Sequence, residues 1–323
     1  MKKRTLLLAA LGSAFALTAA HAQSDFPNKP VTIVVPGAPG GGGDFTARLL
    51  ADELGKLLGK PVVVEDRAGA GGNIAATYVA RAQPDGYTLL LAYSGTHVIN
   101  PALFNNLQWD PIKSFTPVAM LITSPQVIVV SNSLPVKTLG ELVTYARANP
   151  GKINYATSGN GSVQHIGSEL LAMRTGTRMV HVPYKGAGAA MTDVLSGQVQ
   201  LMITTPPAVV SHIRAGSLRA LAIAGKDRAP MLPDLPTTSQ AGVKDVELDA
   251  WFALYAPAGT PAPAINRLVT EIEKVVKGAD FKRRAEEAGT TASFMGPAEL
   301  DKFTRTELTQ WSGVIKNLNI KVD

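Results

Sequence analysis

Three short, unbroken apolar runs near the start of the chain constrain its fold most. They are VTIVV (31–35), VVVE (62–65) and YTLLLAY (87–93). A strand with one wet face alternates apolar and polar residues; these runs do not, so both of their faces must be covered. Helical patterns separate them. From Asp44 to about Leu58, residues Phe45, Leu49, Leu50, Leu54, Leu57 and Leu58 share one broad face. Asp44 is the expected N-cap, and Gly59 with Pro61 the stop. A second helix is expected over 73–82, before the turn Pro84-Asp85-Gly86. The order β-α-β-α-β predicts a parallel sheet with helices on both faces.

The same order recurs downstream. Strands are expected at 152–156, 179–184, 199–204 and 218–225, with helices to about Arg174, near 187–195 and near 208–214. The 323 residues suit two domains. VIVV (127–130) and LDAWFALYAP (248–257) read as crossovers between two lobes. Residues 23–125 plus 250–323 would form lobe one, and 126–249 lobe two. Two tail stripes, Ile265-Leu268-Val269-Ile272-Val275-Val276 and Leu300-Phe303-Leu308-Trp311-Ile315, read as ordinary core-facing helices.

The first 22 residues read as a leader. Lys2, Lys3 and Arg4 precede an apolar run to Ala19, followed by Ala20-His21-Ala22. That is a secretory signal pattern with a cut expected after Ala22, and the run is short for a membrane span. Export to the periplasm follows. Of the net charge of +6, the leader holds three, which leaves a mild surplus that does not argue for nucleic acid. The absence of cysteine excludes disulfides, thiolate nucleophiles and Cys-ligated metals.

Two glycine-rich helix entrances carry the chemistry. PGAPGGGGDF (36–45) lies between a strand and a helix. Helix N-termini present free amide hydrogens and partial positive charge, and glycine lets the backbone approach an anion. Ala38, Pro39, Gly40, Gly41, Gly42, Gly43 and Asp44 are therefore candidate ligand contacts. In NYATSGNGSVQHIGSE (154–169) the same logic selects Ser158, Gly159, Asn160, Gly161 and Ser162, with His165 one turn on. Ser162 also reads as an N-cap. Ser94 and Thr96, Tyr184 and Lys185, and Thr204 and Thr205 follow other strands, at the end where open α/β sheets bind ligands; plain turns account for them almost equally well.

Nucleotide and catalytic readings fail on residues. A phosphate-binding loop needs Gly-Lys-Ser/Thr, whereas Gly42 is followed by Gly43 and Asp44. A dinucleotide fingerprint starting at Gly40 would need a third glycine where Phe45 stands. The five histidines have no metal-ligand spacing, and there is no G-x-S-x-G elbow. No cofactor, metal or enzymatic activity is expected.

Taken in order, PGAPGGGGDFTAR (36–48), VVVEDRAGAGGNIAA (62–76), PDGYTLL (84–90), GTHVINPAL (95–103), NYATSGNGSVQHI (154–166), HVPYKGAGAAMTDVLSGQVQLM (181–202), LRALAIAG (218–225) and WFALYAPAGTPAP (251–263) resemble the solute-binding receptors of the tripartite tricarboxylate transporter family, the Bug receptors. The resemblance covers essentially the whole chain after the leader. It implies a two-lobed α/β periplasmic binding protein of the Venus-flytrap type, each lobe a sheet flanked by helices, joined by two crossover segments. It also implies that the two Gly-rich loops hold a small carboxylate in a pincer, partly through water, and that a membrane permease of the tripartite type receives it. A monomer is expected. The family usually has an aromatic at Gly37, threonine at Gly43 and Phe-Asp-Asn after QLM, where this chain has Ile203-Thr204-Thr205. The missing aspartate points to a carboxylate without an amino group. A sensor of the same fold, serving a signalling partner, is the alternative, and an exported dinucleotide enzyme a more distant one.

Overall fold

The computed structural model describes residues 26–318. The expected leader and its cut lie outside the described residues. The first sheet begins as the apolar runs dictate. β1 (Val31–Val35) pairs in parallel with β2 (Val62–Asp66) and β3 (Thr88–Tyr93). Between them run α1 (Gly42–Leu58) and α2 (Asn73–Ala80). A π-helical turn, Gly95–Ile99, then leads through the short α3 (Asn100–Leu103) to β4 (Phe115–Ser124).

At Pro125 the chain enters the second sheet. It contains β5 (Gln126–Ser131), β6 (Asn154–Thr157), β7 (Val180–Pro183), β8 (Leu201–Thr204) and β9 (Leu218–Ala224), in the order β7-β6-β8-β5-β9. Its helices are α4 (Leu139–Ala148), α5 (Val163–Thr175), α6 (Ala187–Ser196) and α7 (Pro206–Arg214). The chain returns as β10 (Ala250–Pro257) and ends with α8 (Ala262–Lys277), α9 (Ala279–Glu287), β11 (Thr291–Met295) and α10 (Pro297–Leu318). The first sheet thus runs β11-β4-β10-β3-β1-β2.

Three expectations are corrected. The sheets are mixed: β10 is antiparallel to β3 and β4, and β5 to β8 and β9. The runs 127–130 and 248–257 are not connectors; they form β5 and β10, fully buried strands inside the two sheets. The passages between the sheets are Ser124-Pro125-Gln126 and the stretch from β9 to β10. Asp44 is not the N-cap of α1; Gly41 is, and Asp44 lies in the first turn.

Burial follows the patterning. Side chains at 0% exposure cover both faces of the first sheet, Val34 and Leu90 on one and Ile33 and Leu89 on the other. In the second sheet Ile128 and Val129 face opposite clusters in the same way. From the C-terminal tail, Leu268, Ile272 and Leu300 enter the core fully. Among the described residues, no helix is long and apolar enough to cross a membrane.

Candidate functional site

A cavity lies where the two sheets face each other. Its lining includes Gly41, Gly42, Gly43 and Asp44 from the entrance to α1, Ser158, Val163 and Gln164 at the entrance to α5, Gly186 and Ala187 at the entrance to α6, and Thr205, the N-cap of α7. Four helix N-termini converge on one space. Three offer amide hydrogens; the fourth opens with Pro206-Pro207 and adds only its dipole. The cavity has a volume of about 60 Å³.

Asp44 is the acidic group of this lining, and its charge is spent locally. Its Oδ1 accepts from Arg48 Nε at 2.5 Å and its Oδ2 from Gly40 N at 3.0 Å. Behind it, Asp66 has a raised pKa, through burial first and the neighbouring Asp44 carboxylate second. Among the described residues, no lysine, arginine or histidine lines the cavity. Its remaining walls are Val35, Pro36, Gly37, Ala38, Tyr93, Gln126, Ala250 and Phe252. Burial also raises the Tyr93 pKa, so its hydroxyl stays neutral.

Several glycines also set how closely the lobes approach. A Cβ on Gly186, at φ +136°, would sit 2.5 Å from that of Ala38 across the cleft. One on Gly188 would sit 2.6 Å from the Pro39 carbonyl oxygen, and one on Gly161 2.6 Å from Asn100 Oδ1. At the same contact a Cβ on Gly71, at φ +61°, would overlap the Asn160 carbonyl oxygen, while Gly159 lies in ordinary van der Waals contact with the Gly71 backbone. The lobes approach so closely because side chains are missing at these points.

Of the sequence-selected residues, Ala38, Gly41, Gly42, Gly43, Asp44, Ser158 and Thr205 lie on the cavity. Pro39 and Gly40 form the exposed rim of the first loop. Gly159, Asn160 and Gly161 lie at the interlobe contact with Gly71 and Asn100. Ser162 caps α5, accepting from His165 N and donating to the Gly159 carbonyl at 2.8 Å. His165 Nδ1 accepts from Gly161 N, and its ring stacks on His181 with centroids 4.1 Å apart. Thr96 is turned inward, donating to the Gly71 carbonyl, and Ser94 and Thr204 are buried with unpartnered hydroxyls. The Tyr184 hydroxyl is tied to Asp193 at 2.6 Å; burial and that bond push it up to about 12. Lys185 is exposed, outside the lining.

Sequence reasoning missed the α6 entrance, Gln126 and the apolar wall. The Gly186-Ala187 step in YKGAGAA repeats the glycine-before-helix signal and was legible in principle. Gln126, Ala250 and Phe252 reach the cavity only because β5 and β10 start beside the crossovers, which no local pattern announces.

Two sheets joined by paired crossovers, with helix entrances aimed into the cleft between them, define a two-lobed binding protein. A family model described as "Tripartite tricarboxylate transporter family receptor" matches residues 46–320. Protein BugT of Bordetella pertussis is 36% identical over 322 residues, covering 98% of this chain and 99% of that one. The solved periplasmic binding protein BugD has a TM-score of 0.89 at 35% identity, covering 92% of this chain and 99% of its own. Rhodopseudomonas palustris Rpa4515 with adipate gives the same four values. MatC of R. palustris with bound malate has a TM-score of 0.85 at 35% identity, covering 90% of this chain and 100% of its own. The chain belongs to the tripartite tricarboxylate transporter receptor family, whose members are periplasmic solute-binding proteins.

Proposed function

We propose that this protein captures a small carboxylate in the cleft and delivers it to a membrane permease of the tripartite tricarboxylate type. The observation that carries this reading is the convergence of three amide-bearing helix entrances on one interlobe cavity that, among the described residues, is lined by no basic side chain. Such a site binds an anion through backbone dipoles rather than an ion pair. Adipate and malate in two relatives support the same ligand class.

In this reading Gly41 to Asp44, Ser158, Gln164, Gly186, Ala187 and Thr205 are the contacts, directly or through water. Lobe one comprises 23–125 plus 250–323 and lobe two 126–249, and the lobes close about Pro125 and the 225–249 passage. The permease reads the closed form, whose population the ligand raises. Cleavage after Ala22 releases the chain into the periplasm. Mass spectrometry of small molecules freed by denaturing the freshly purified protein tests this. A carboxylate near one per chain is expected; a nicotinamide dinucleotide at that stoichiometry would overturn the reading.

A further inference from the structure

Gln126 is a polar residue at the head of a buried strand. VIVV follows it, and every residue of β5 is buried. Gln126 itself is 1% exposed, yet it lines the ligand cavity, and its Oε1 has no hydrogen-bond partner among the described residues. A buried amide left in that state costs stability, and an apolar side chain at the same position would not. Ile128, two residues on and on the same face of the strand, joins the cluster that holds Val163. Gln126 therefore stands on the α5 side of the second sheet, at the floor of the cleft.

Its place in the chain is as telling. Ser124-Pro125-Gln126 is the whole of the first passage between the lobes. Gln126 pairs with Ala224, the last residue of β9, where the second passage begins. Ser124 pairs with Ala250, where that passage ends. Pro125 and Gly225 nearly touch: a Cβ on the glycine would lie 3.2 Å from that of the proline. Both passages thus run side by side at one place, and in the closure proposed above the lobes turn about it. Displacement in a rotation grows with distance from the axis. The α1 entrance on one lobe and the α6 entrance on the other part when the cleft opens, whereas Gln126 hardly moves.

Given that the ligand is a carboxylate held in this cleft, as proposed above, we infer that Gln126 is the contact on which it docks in the open protein, and that this contact adds affinity without driving closure. The amide takes an oxygen of the ligand: its Nε2 donates to the carboxylate, directly or through a water, while its Oε1 accepts from water that the ligand holds. Contacts shared between the α1 and α6 entrances are completed only when the lobes meet. The two kinds of contact are therefore separable. Gln126 sets how tightly the open form holds the acid, and the glycine entrances set how far the complex closes.

The test uses protein unfolded and refolded to strip bound ligand, titrated by calorimetry at pH 7.5 with malate, succinate, glutarate, adipate and citrate. For the acid that binds tightest, Gln126→Leu should weaken affinity about tenfold. Gln126→Glu, which sets a negative charge against the bound anion, should weaken it further. At saturating acid, small-angle scattering should find the Gln126→Leu protein as compact as the wild type. In a Gly186→Ala background, which holds the cleft open, Gln126→Leu should cost the same factor. Circular dichroism and thermal unfolding confirm the fold; if the leucine variant does not fold, Gln126→Met, unbranched and of similar length, takes its place. A Gln126→Leu affinity within about twofold of the wild type, or Gln126→Glu binding as tightly as the wild type, overturns this inference and leaves the carboxylate reading standing. So does a saturated Gln126→Leu complex that stays extended, or a cost that vanishes in the Gly186→Ala background, because Gln126 would then act through closure. No binding of any of these acids to the wild type overturns both.

Discussion

Gly186 and Ala38 face each other across the cleft so closely that a side chain on the first would overlap the second. One belongs to the α6 entrance, the other to the loop before α1. The glycine-rich loops therefore have two jobs. They leave amide hydrogens free for an anion, and they let two backbones meet.

Gly186→Ala tests the second job. The added Cβ clashes with Ala38, and φ +136° strains any side chain there. Carboxylate affinity should fall by about tenfold or more, since closure and binding are coupled. Small-angle scattering with saturating ligand should show a more extended particle than the wild type. Gly216→Ala, also at positive φ but with open space around it, should bind normally, which separates closure from backbone strain.

Asn100 secures the lobe-one side of the same contact. Its Nδ2 donates to the Gly71 carbonyl at 3.0 Å and to Asn73 Oδ1 at 2.9 Å, and Thr96 donates to that carbonyl too. Asn100→Ala leaves this loop short of a buried donor. Unfolding stability should drop by about 1–3 kcal/mol, and amide exchange over residues 69–73 should accelerate.

Ser162→Ala removes the α5 cap and the bond to the Gly159 carbonyl. Chemical denaturation should register a loss of about 1 kcal/mol. Ligand affinity should fall as well, because the loop from 158 to 162 loses its anchor.

The stack beneath that loop should make the protein acid-sensitive. Burial lowers His165 and His181 to about 4. The groups facing them are each other, Glu169 and Tyr155, whose hydroxyl is bonded to Glu169. Unfolding restores ordinary values near 6.5, so the unfolded chain binds more protons between about pH 6.5 and 4. Stability is full above that window and falls as pH drops through it. For the buried His165 alone the loss is on the order of 3 kcal/mol. Protonated His165 also cannot accept from Gly161 N, so affinity falls in the same window. Denaturation curves from pH 7.5 to 4 check this; His165→Gln should flatten the slope.

The layered α/β architecture was legible because it is local. Unbroken apolar runs demand covered strands, and leucines at helical spacing demand a partner face. VIVV and LDAWFALYAP show where locality ends. They read as crossovers, because their place inside each sheet is set by partners far along the chain, Leu201–Thr204 for one and Thr88–Tyr93 for the other. The site divides likewise. Helix entrances rich in glycine announce themselves; Gln126 and Phe252 do not, since only the fold carries them to the cavity. Thr96 and Tyr184 looked available at strand ends, yet their hydroxyls are consumed by Gly71 and Asp193.

The central claim is that the cleft captures a carboxylate and closes on it. Small-angle scattering of ligand-free, refolded protein during titration with a panel of short carboxylates tests this most directly. A saturable fall in the radius of gyration with at least one acid, absent in Gly186→Ala, is the result the account predicts. A particle whose dimensions and thermal stability ignore every acid of the panel would contradict it.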